Sequence, residues 1–116
     1  MDKLLEVLKA LSDETRLRII SLLYEQELCV CNIMEILKIS QAKTSRHLIY
    51  LKNAGLVKDR KYAQWAYYSV IKDRQMNFID ILVYENLRNL EPYKSDLEKL
   101  QVRLNQKDIQ CKTYQI

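Results

Sequence analysis

Two of the three cysteines in this 116-residue chain, Cys29 and Cys31, are separated by a single residue. Thiolates bind soft, thiophilic ions, and they are also open to oxidation. Residues two apart on an α-helix point about 200° away from each other, whereas in extended backbone they share a face. The spacing therefore predicts that both thiols reach one small ion only where the start of a helix unwinds or distorts. The alternative interpretation is a pair of ordinary half-buried thiols near a helix start.

Cys111, near the C-terminus, is the remaining cysteine. An odd number of cysteines in a short chain without a signal-peptide pattern favours reduced thiols, metal ligation or redox sensing over a disulfide framework. Cys111 is the candidate third sulfur of a metal site with Cys29 and Cys31, from the same chain or across a dimer. The alternative is an exposed tail thiol without function, with glutathione or solvent completing the coordination.

Basic residues are concentrated between residues 38 and 61, where seven lysines and arginines stand against one aspartate. This segment carries a net charge of +6, although the whole chain carries only +4. A basic block on an otherwise slightly acidic protein is typical of phosphate binding. A solvated basic surface would give the same charge count, so the pattern inside the segment has to decide.

The elements that must position these residues are mostly helices, because glycine and proline each occur once, at Gly55 and Pro92. Apolar spacing predicts helices over residues 4–11, 13–24, 31–37, 41–54 and 72–90. Ser12 or Asp13 can cap the second helix and Ser40 the fourth. Two strand-like runs, 56–61 and 65–70, fit a hairpin with its tip at 62–64.

Beyond Pro92, a seven-residue seam predicts a last helix that packs on a partner helix. Its members are Tyr93, Leu97, Leu100 and Leu104. We therefore predict one domain over residues 1–107, followed by a C-terminal tail over residues 108–116. The fold class is mainly α with a small β-hairpin, in the order of a winged helix-turn-helix.

The helix over residues 41–54 has the pattern of a DNA-reading helix. Thr44, Leu48 and Leu51 fall on one side and are expected to face the core. The outward face begins at the helix N-terminus, which is the end that a recognition helix presents to the major groove. Gln41 and Arg46 suit base edges there.

The remaining candidate DNA contacts are short or basic side chains around that face. Ser45 and Lys43 suit phosphates or groove walls, and Ala42 permits close approach or contact with a thymine methyl group. Arg60 and Lys61, near the hairpin tip, are candidates for backbone or minor-groove contact. The alternative is a helical hairpin packed on a protein partner, which the charge concentration disfavours.

Over about residues 3–71 the chain resembles the ArsR/SmtB family of metal-responsive winged-helix repressors. The resemblance rests on the segments Ala10–Ile19, Glu27–Cys31, Ser40–Leu48, Ala54–Val57 and Trp65–Tyr68. The run Cys29-Val30-Cys31 looks like that of the arsenite-sensing branch.

This resemblance implies a homodimer formed through N- and C-terminal helices, bound to operator DNA with an inverted repeat. It also implies arsenite or antimonite, As(III) or Sb(III), as the inducer that releases the DNA. The chain departs from the family at Asn32, where aspartate is common, at Met34, where some members have a third cysteine, and at Ala63, where glycine is usual. It has no histidine over residues 73–90 and no cysteine before Cys29, so the ligands of the other metal-sensing branches are absent from the sequence.

Two competing functions remain open from the sequence. One is a redox- or persulfide-sensing repressor that forms a disulfide with Cys111, since strain argues against a direct Cys29–Cys31 link. The other is a helical interaction module that does not bind DNA. No enzyme activity is expected, because no nucleophile pair, metal–histidine set or phosphate loop is visible. Without a long apolar run or signal peptide, we expect a cytoplasmic protein with no membrane partner.

Overall fold

The computed structural model describes residues 3–72 and 76–105. The helices are α1 (Lys3–Leu11), α2 (Glu14–Glu25), α3 (Val30–Leu37), α4 (Gln41–Asn53), α5 (Met76–Asp80), a π-helix (Ile81–Leu87) and α6 (Tyr93–Asn105). The strands are β1 (Leu28–Cys29), β2 (Val57–Tyr62) and β3 (Trp65–Val70). The chain is a winged helix-turn-helix, and the predicted fold class is confirmed.

Side chains cap the helices of the DNA-reading half where the sequence predicts them. Asp13 begins α2, and its carboxylate accepts a hydrogen bond from the Arg16 amide at 3.0 Å. Ser40 begins α4, and its hydroxyl accepts from the Lys43 amide at 3.1 Å. Each cap satisfies a backbone donor that has no partner within the helix, so the start of each helix is fixed by local chemistry.

Gly55 ends α4 in the left-handed conformation, with φ at +81°. The Gly55 amide donates to the Lys52 carbonyl and the Leu56 amide to the Leu51 carbonyl, each at 3.0 Å. These two bonds are the Schellman arrangement, which closes a helix and favours glycine because no Cβ is present. After this turn the chain continues directly into β2.

The three strands form one antiparallel sheet in the order β1, β3, β2. β2 and β3 pair from Val57 with Val70 to Tyr62 with Trp65, so the hairpin turns on Ala63 and Gln64. β1 was not predicted, since a strand of two residues has no alternating pattern to detect. It pairs with β3 on the side opposite β2, with Cys29 beside Tyr67.

The core lies between α2, α3, α4, α6 and the inner face of the sheet. Leu100 is buried, and Leu97 and Leu104 pack partly buried against the same core. The seam of α6 therefore packs on helices of its own chain. A buried ion pair joins the same elements, because the Arg18 guanidinium donates to both carboxylate oxygens of Asp96 at 2.8 and 2.9 Å.

The predicted helix over residues 72–90 is divided in the structure, and its residues 73–75 lie outside the described part. α5 is followed by the wider π-helix, in which the Asn86 side chain donates to the Ile81 carbonyl. A π-helical stretch has no separate signature in apolar spacing, so the sequence did not reveal it. Within the described residues no helix is long and apolar enough to cross a bilayer.

Two surfaces of the single chain expose large apolar side chains. On α1 these are Leu4, Leu5 and Leu8, and on α5 and the π-helix they are Phe78, Ile81 and Tyr84. The apolar stripe predicted for α1 is thus only partly turned to the core, through Leu11 together with Val7 and Ala10. Exposed apolar faces of this kind are typical of protein–protein contacts.

Candidate thiol site and nucleic-acid interface

Cys29 and Cys31 lie side by side where β1 passes into α3. Cys29 is the N-cap residue of α3 and has extended backbone, with φ at −84° and ψ at 164°, whereas Cys31 is already helical. Their Sγ atoms are in contact at 2.6 Å, and neither cysteine is a free thiol. The two sulfurs approach each other with α3 formed, because Cys29 precedes the helix in extended backbone. Distortion of the first turn of α3 by a bound ion stays a prediction. The sequence predicts that strain disfavours a direct disulfide between Cys29 and Cys31, yet their sulfur atoms lie in contact.

The thiol pair is buried against the wing, the hairpin formed by β2 and β3. Cys29 and Cys31 are only 3% and 2% exposed, and they form a small cluster with the partly buried rings of Trp65 and Tyr67. Both rings project from β3 on the face opposite its core residues. The sulfurs therefore have α3 on one side and aromatic rings of the wing on the other.

The donor set at this site suits a soft ion. Two sulfur atoms converge, and across residues 3–72 and 76–105 no group of three or more His, Cys, Asp or Glu side chains could hold a metal. Sulfur ligands favour thiophilic ions over oxygen-seeking ions such as Mg²⁺ or Ca²⁺. Cys111, predicted as the third sulfur, lies outside the described residues, so its role stays a prediction.

Glu27, two residues before Cys29, reaches across the sheet to the wing. Both of its carboxylate oxygens accept hydrogen bonds from the Arg60 guanidinium at 2.9 Å. The same guanidinium lies 5.2 Å from the centre of the Tyr67 ring. Arg60, predicted as a DNA contact, is thus also bound to the thiol segment, which we define as residues 27–31. Sequence spacing did not indicate this connection.

Asn32, the residue after Cys31, connects α3 to α6. It is buried, and its side-chain oxygen accepts a hydrogen bond from Arg103 at 3.1 Å. Asparagine offers the arginine an uncharged acceptor where an aspartate would offer a charged one. The start of α3 is therefore anchored to the C-terminal helix as well as to the sheet.

The groove face of α4 is arranged as the sequence predicts. Thr44, Leu48 and Leu51 are fully buried in the core. The predicted DNA contacts stand on the other side. Gln41, Ala42, Lys43 and Arg46 are exposed, Ser45 is half-buried, and Arg60 and Lys61 are exposed on β2. Burial of one face leaves the other available to a DNA groove, although base contacts themselves stay predictions.

A shallow concave surface of about 400 Å³ adjoins this face, lined by Arg16, Arg46, His47, Ile49, Tyr50 and Asn53. The Arg16 guanidinium lies 4.0 Å from the centre of the Tyr50 ring and 3.4 Å from His47 Nδ1. Burial lowers the pKa of His47, and neighbouring Arg16 lowers it further. Sequence reasoning missed Arg16 here because it belongs to α2, which is distant from α4 in the chain.

A recognition helix, a supporting helix and a wing with a basic outer strand define a DNA-binding winged-helix regulator. The model of the bacterial regulatory protein family arsR matches residues 13–59. The uncharacterized HTH-type transcriptional regulator MJ1325 of Methanocaldococcus jannaschii is 43% identical over 82 residues, which are 70% of this chain and 92% of the relative. The chain therefore belongs to the ArsR family of transcriptional regulators.

Other relatives are named for resistance to particular elements. The arsenical resistance operon repressor of Escherichia coli K12 is 49% identical over 65 residues, covering 55% of this chain and 56% of the relative. A cadmium resistance regulator, the CadC homolog of Staphylococcus aureus, is 48% identical over 66 residues, covering 56% of this chain and 54% of the relative. The chain thus spans little more than half the length of these two relatives.

Solved structures agree with this family. HlyU from Vibrio cholerae N16961 superposes with a TM-score of 0.68 at 34% identity, covering 72% of this chain and 91% of HlyU. Mb0332 from Mycobacterium bovis, described as a homodimeric winged helix-turn-helix DNA-binding domain, gives a TM-score of 0.64 at 28% identity, covering 78% of this chain and 86% of its own. The three sequence relatives are named as transcriptional regulators or repressors, in agreement with the expectation that the chain is not an enzyme.

Proposed function

We propose that this protein is a homodimeric repressor that leaves its operator when arsenite or antimonite binds the sulfurs of Cys29 and Cys31. The observation that carries the proposal is the contact between these sulfurs at the start of α3. α3 supports the recognition helix α4 and is joined to it by residues 38–40, so a change at the start of α3 can reach the DNA reader through α3 itself. The arsenical resistance relative supports the choice of element.

The dimer in this proposal uses the exposed apolar side chains of α1 and of the α5 and π-helix region. Burying Leu4, Leu5 and Phe78 against a second copy removes apolar area from water. Two-fold symmetry then presents two copies of α4 to successive major grooves, about 34–36 Å apart. The matching operator is an inverted repeat, and a small rotation of either recognition helix spoils the fit.

The ion's third donor is assigned to Cys111, from either protomer, with a small thiol or solvent as the substitute. Trivalent arsenic takes three donors, and Cys29 and Cys31 supply two. A set of sulfur ligands also accommodates cadmium and lead, and a cadmium resistance relative is similar to the chain. Cys111 is therefore the residue on which selectivity among these ions is expected to depend.

The test is a titration of reduced protein on a fluorescent operator duplex selected from a random-sequence pool. Arsenite is expected to weaken binding by about 5- to 150-fold, the usual range of ligand-linked switches. Cys29→Ser and Cys31→Ser should each abolish this response and keep the DNA affinity without ion. Cys111→Ser makes the same chemical change at the assigned third donor, and it should weaken the response without abolishing it. Normal release of Cys31→Ser by arsenite would sink the proposal.

The sulfur contact also supports a second function, release by oxidation of the same pair. Two adjacent thiols that exchange two electrons with a peroxide can form a disulfide, and a reductant reverses this. The comparison structures include one described as reduced HlyU from Vibrio cholerae. Release by peroxide alone, reversed by dithiothreitol and insensitive to arsenite, cadmium and zinc, would select this function.

A further inference from the structure

The thiol pair has two neighbours of different stiffness. On one side the chain continues into α3, which is held in the main core by fully buried residues such as Ile33 and Ile36. On the other side the pair adjoins Trp65 and Tyr67, which are only partly buried. Packed protein interiors resist added volume, so an ion that arrives at two nearly inaccessible sulfurs displaces the aromatic rings more easily than the core. The first element to move is then the wing strand β3.

The displaced strand is already connected to the basic face of the wing. Tyr67 lies between Cys29 on β1 and Arg60 on β2 in the sheet register. Its ring lies under the Arg60 guanidinium, at 5.2 Å. Glu27 holds the same guanidinium through two hydrogen bonds. Two routes, one through Tyr67 and one through Glu27, thus join residues 27–31 to one arginine on the exposed face of the wing.

We propose that the wing is a second output of the thiol site: Trp65 and Tyr67 cover the sulfurs, and ion binding beneath them moves Arg60 through Tyr67 and Glu27. Tyr67 and Glu27 are positioning residues in this scheme, and Arg60 is the group whose approach to the DNA backbone changes. The inference rests on the proposed function, because it concerns the consequence of ion binding at the same cysteines. It differs from that proposal in assigning part of the signal to the wing.

The first measurement uses Trp65, the only tryptophan in the chain. Arsenite added to the reduced protein should change the emission of Trp65, with the same midpoint as release of the operator. Cys29→Ser should remove the change. If arsenite releases the operator while the emission of Trp65 stays constant, the ring does not cover the ion and the wing inference is overturned.

The second measurement separates ion binding from its effect. Glu27→Gln removes the ion pair with Arg60 and keeps the size of the side chain. Tyr67→Leu removes the aromatic ring. Both variants should still bind arsenite, as reported by Trp65, but the ratio of operator affinities without and with arsenite should fall by about threefold or more, out of a coupling of about 5- to 150-fold. Because the Glu27 side chain lies at the surface and is one third exposed, its variant should stay folded even where Tyr67→Leu does not.

Asp59→Asn is the matched control for Glu27→Gln, because it also removes a carboxylate that pairs with a basic side chain. Asp59 also lies on β2 and pairs with Lys52 at 3.0 Å, on the face of the sheet away from the cysteines. It should leave the affinity ratio unchanged. An unchanged ratio in Glu27→Gln as well would overturn the wing inference and leave the proposed function standing. Absence of both arsenite binding and release in the unaltered protein would overturn both.

Discussion

Two arginine–carboxylate pairs of nearly identical geometry lie in opposite surroundings. Arg18 and Asp96 join α2 to α6 with hydrogen bonds of 2.8 and 2.9 Å, and the Asp96 side chain is 1% exposed. Arg60 and Glu27 join the wing to the thiol segment with two bonds of 2.9 Å, and their side chains are 56% and 33% exposed. Burial, rather than bond length, sets what each pair does.

The buried pair belongs to the fixed part of the molecule. Hydrogen bonding to Asp96 raises the pKa of Arg18, so the contact favours the charged guanidinium. The exposed pair competes with water and salt at every moment, so it costs little to open. A contact that opens cheaply is suited to a switch, whereas the buried pair is suited to holding α6 in place.

The largest expected effect comes from breaking the buried pair. Asp96→Ala leaves the Arg18 guanidinium partly buried without its carboxylate, which should cost about 3–5 kcal/mol of unfolding free energy. Urea denaturation followed by circular dichroism measures the loss. The double variant Arg18→Met with Asp96→Leu should recover most of it, because no uncompensated charge remains. A loss below about 1 kcal/mol for Asp96→Ala would erase the contrast with surface pairs.

Gly55 tests the backbone at the junction between the helical body and the wing. Gly55→Ala places a Cβ at a φ of +81°, which should cost about 1–2 kcal/mol of unfolding free energy. The added atom would lie 3.3 Å from the end of the flexible Lys3 side chain, so crowding should add little. Ala54→Gly next to it is the comparison for glycine content alone. Equal urea midpoints for Gly55→Ala and the unaltered chain would contradict the prediction.

Ala63, at the tip of the wing, offers the reverse change. It has a φ of +58° at the first position of the hairpin turn, where glycine adopts the conformation without a steric penalty. Ala63→Gly should therefore raise the unfolding free energy by about 0.5–1 kcal/mol. Thermal denaturation measures the gain. A lower melting temperature would show that the wing tip does not store this backbone strain.

The exposed pair should contribute less to stability than either backbone position. Glu27→Gln is expected to change the unfolding free energy by only about 0.2–1 kcal/mol, as for other exposed pairs. This difference in unfolding free energy should be smaller at high salt, because salt screens the ion pair in the unaltered protein and leaves less for the substitution to remove. Denaturation at low and high salt, with Asp96→Ala measured alongside, gives the comparison directly. A loss as large as that of Asp96→Ala would contradict the assignment of a switching role to the wing pair.

The smallest effect concerns His47, at the edge of the DNA-facing surface. Burial lowers the pKa of His47 below its usual 6.5, Arg16, Lys43 and Arg46 lower it further, and Asp13 opposes them. The folded state therefore favours neutral imidazole, so this contribution to stability is full above pH 6.5 and is lost as the pH falls through the folded pKa. His47→Gln should flatten the fall of the urea midpoint between about pH 7.5 and about pH 5.5. Identical slopes for the two proteins would contradict it.

The difference between prediction and structure is clearest around α3. Capping chemistry at Ser40 and the Gly55 turn are local, and the structure agrees with the sequence at both. The sequence argument that the two thiols oppose each other assumed regular helix at both cysteines, whereas Cys29 is the extended N-cap residue of α3 and only Cys31 is helical. Helix ends are weakly encoded in periodicity, so a geometric argument that depended on one residue at a helix end failed.

The sequence by itself determined the helical body, the recognition helix with its buried and exposed faces, the hairpin, and the presence of two thiols beside them. Those features follow from local spacing, capping and charge, which act over a few residues. Only the tertiary structure decided that Trp65 and Tyr67 cover the sulfurs, that Glu27 holds Arg60, and that Asp96 pairs with Arg18. These contacts join residues 33 to 78 positions apart. They arise from the sheet register and from how α6 packs on α2, which no local pattern specifies.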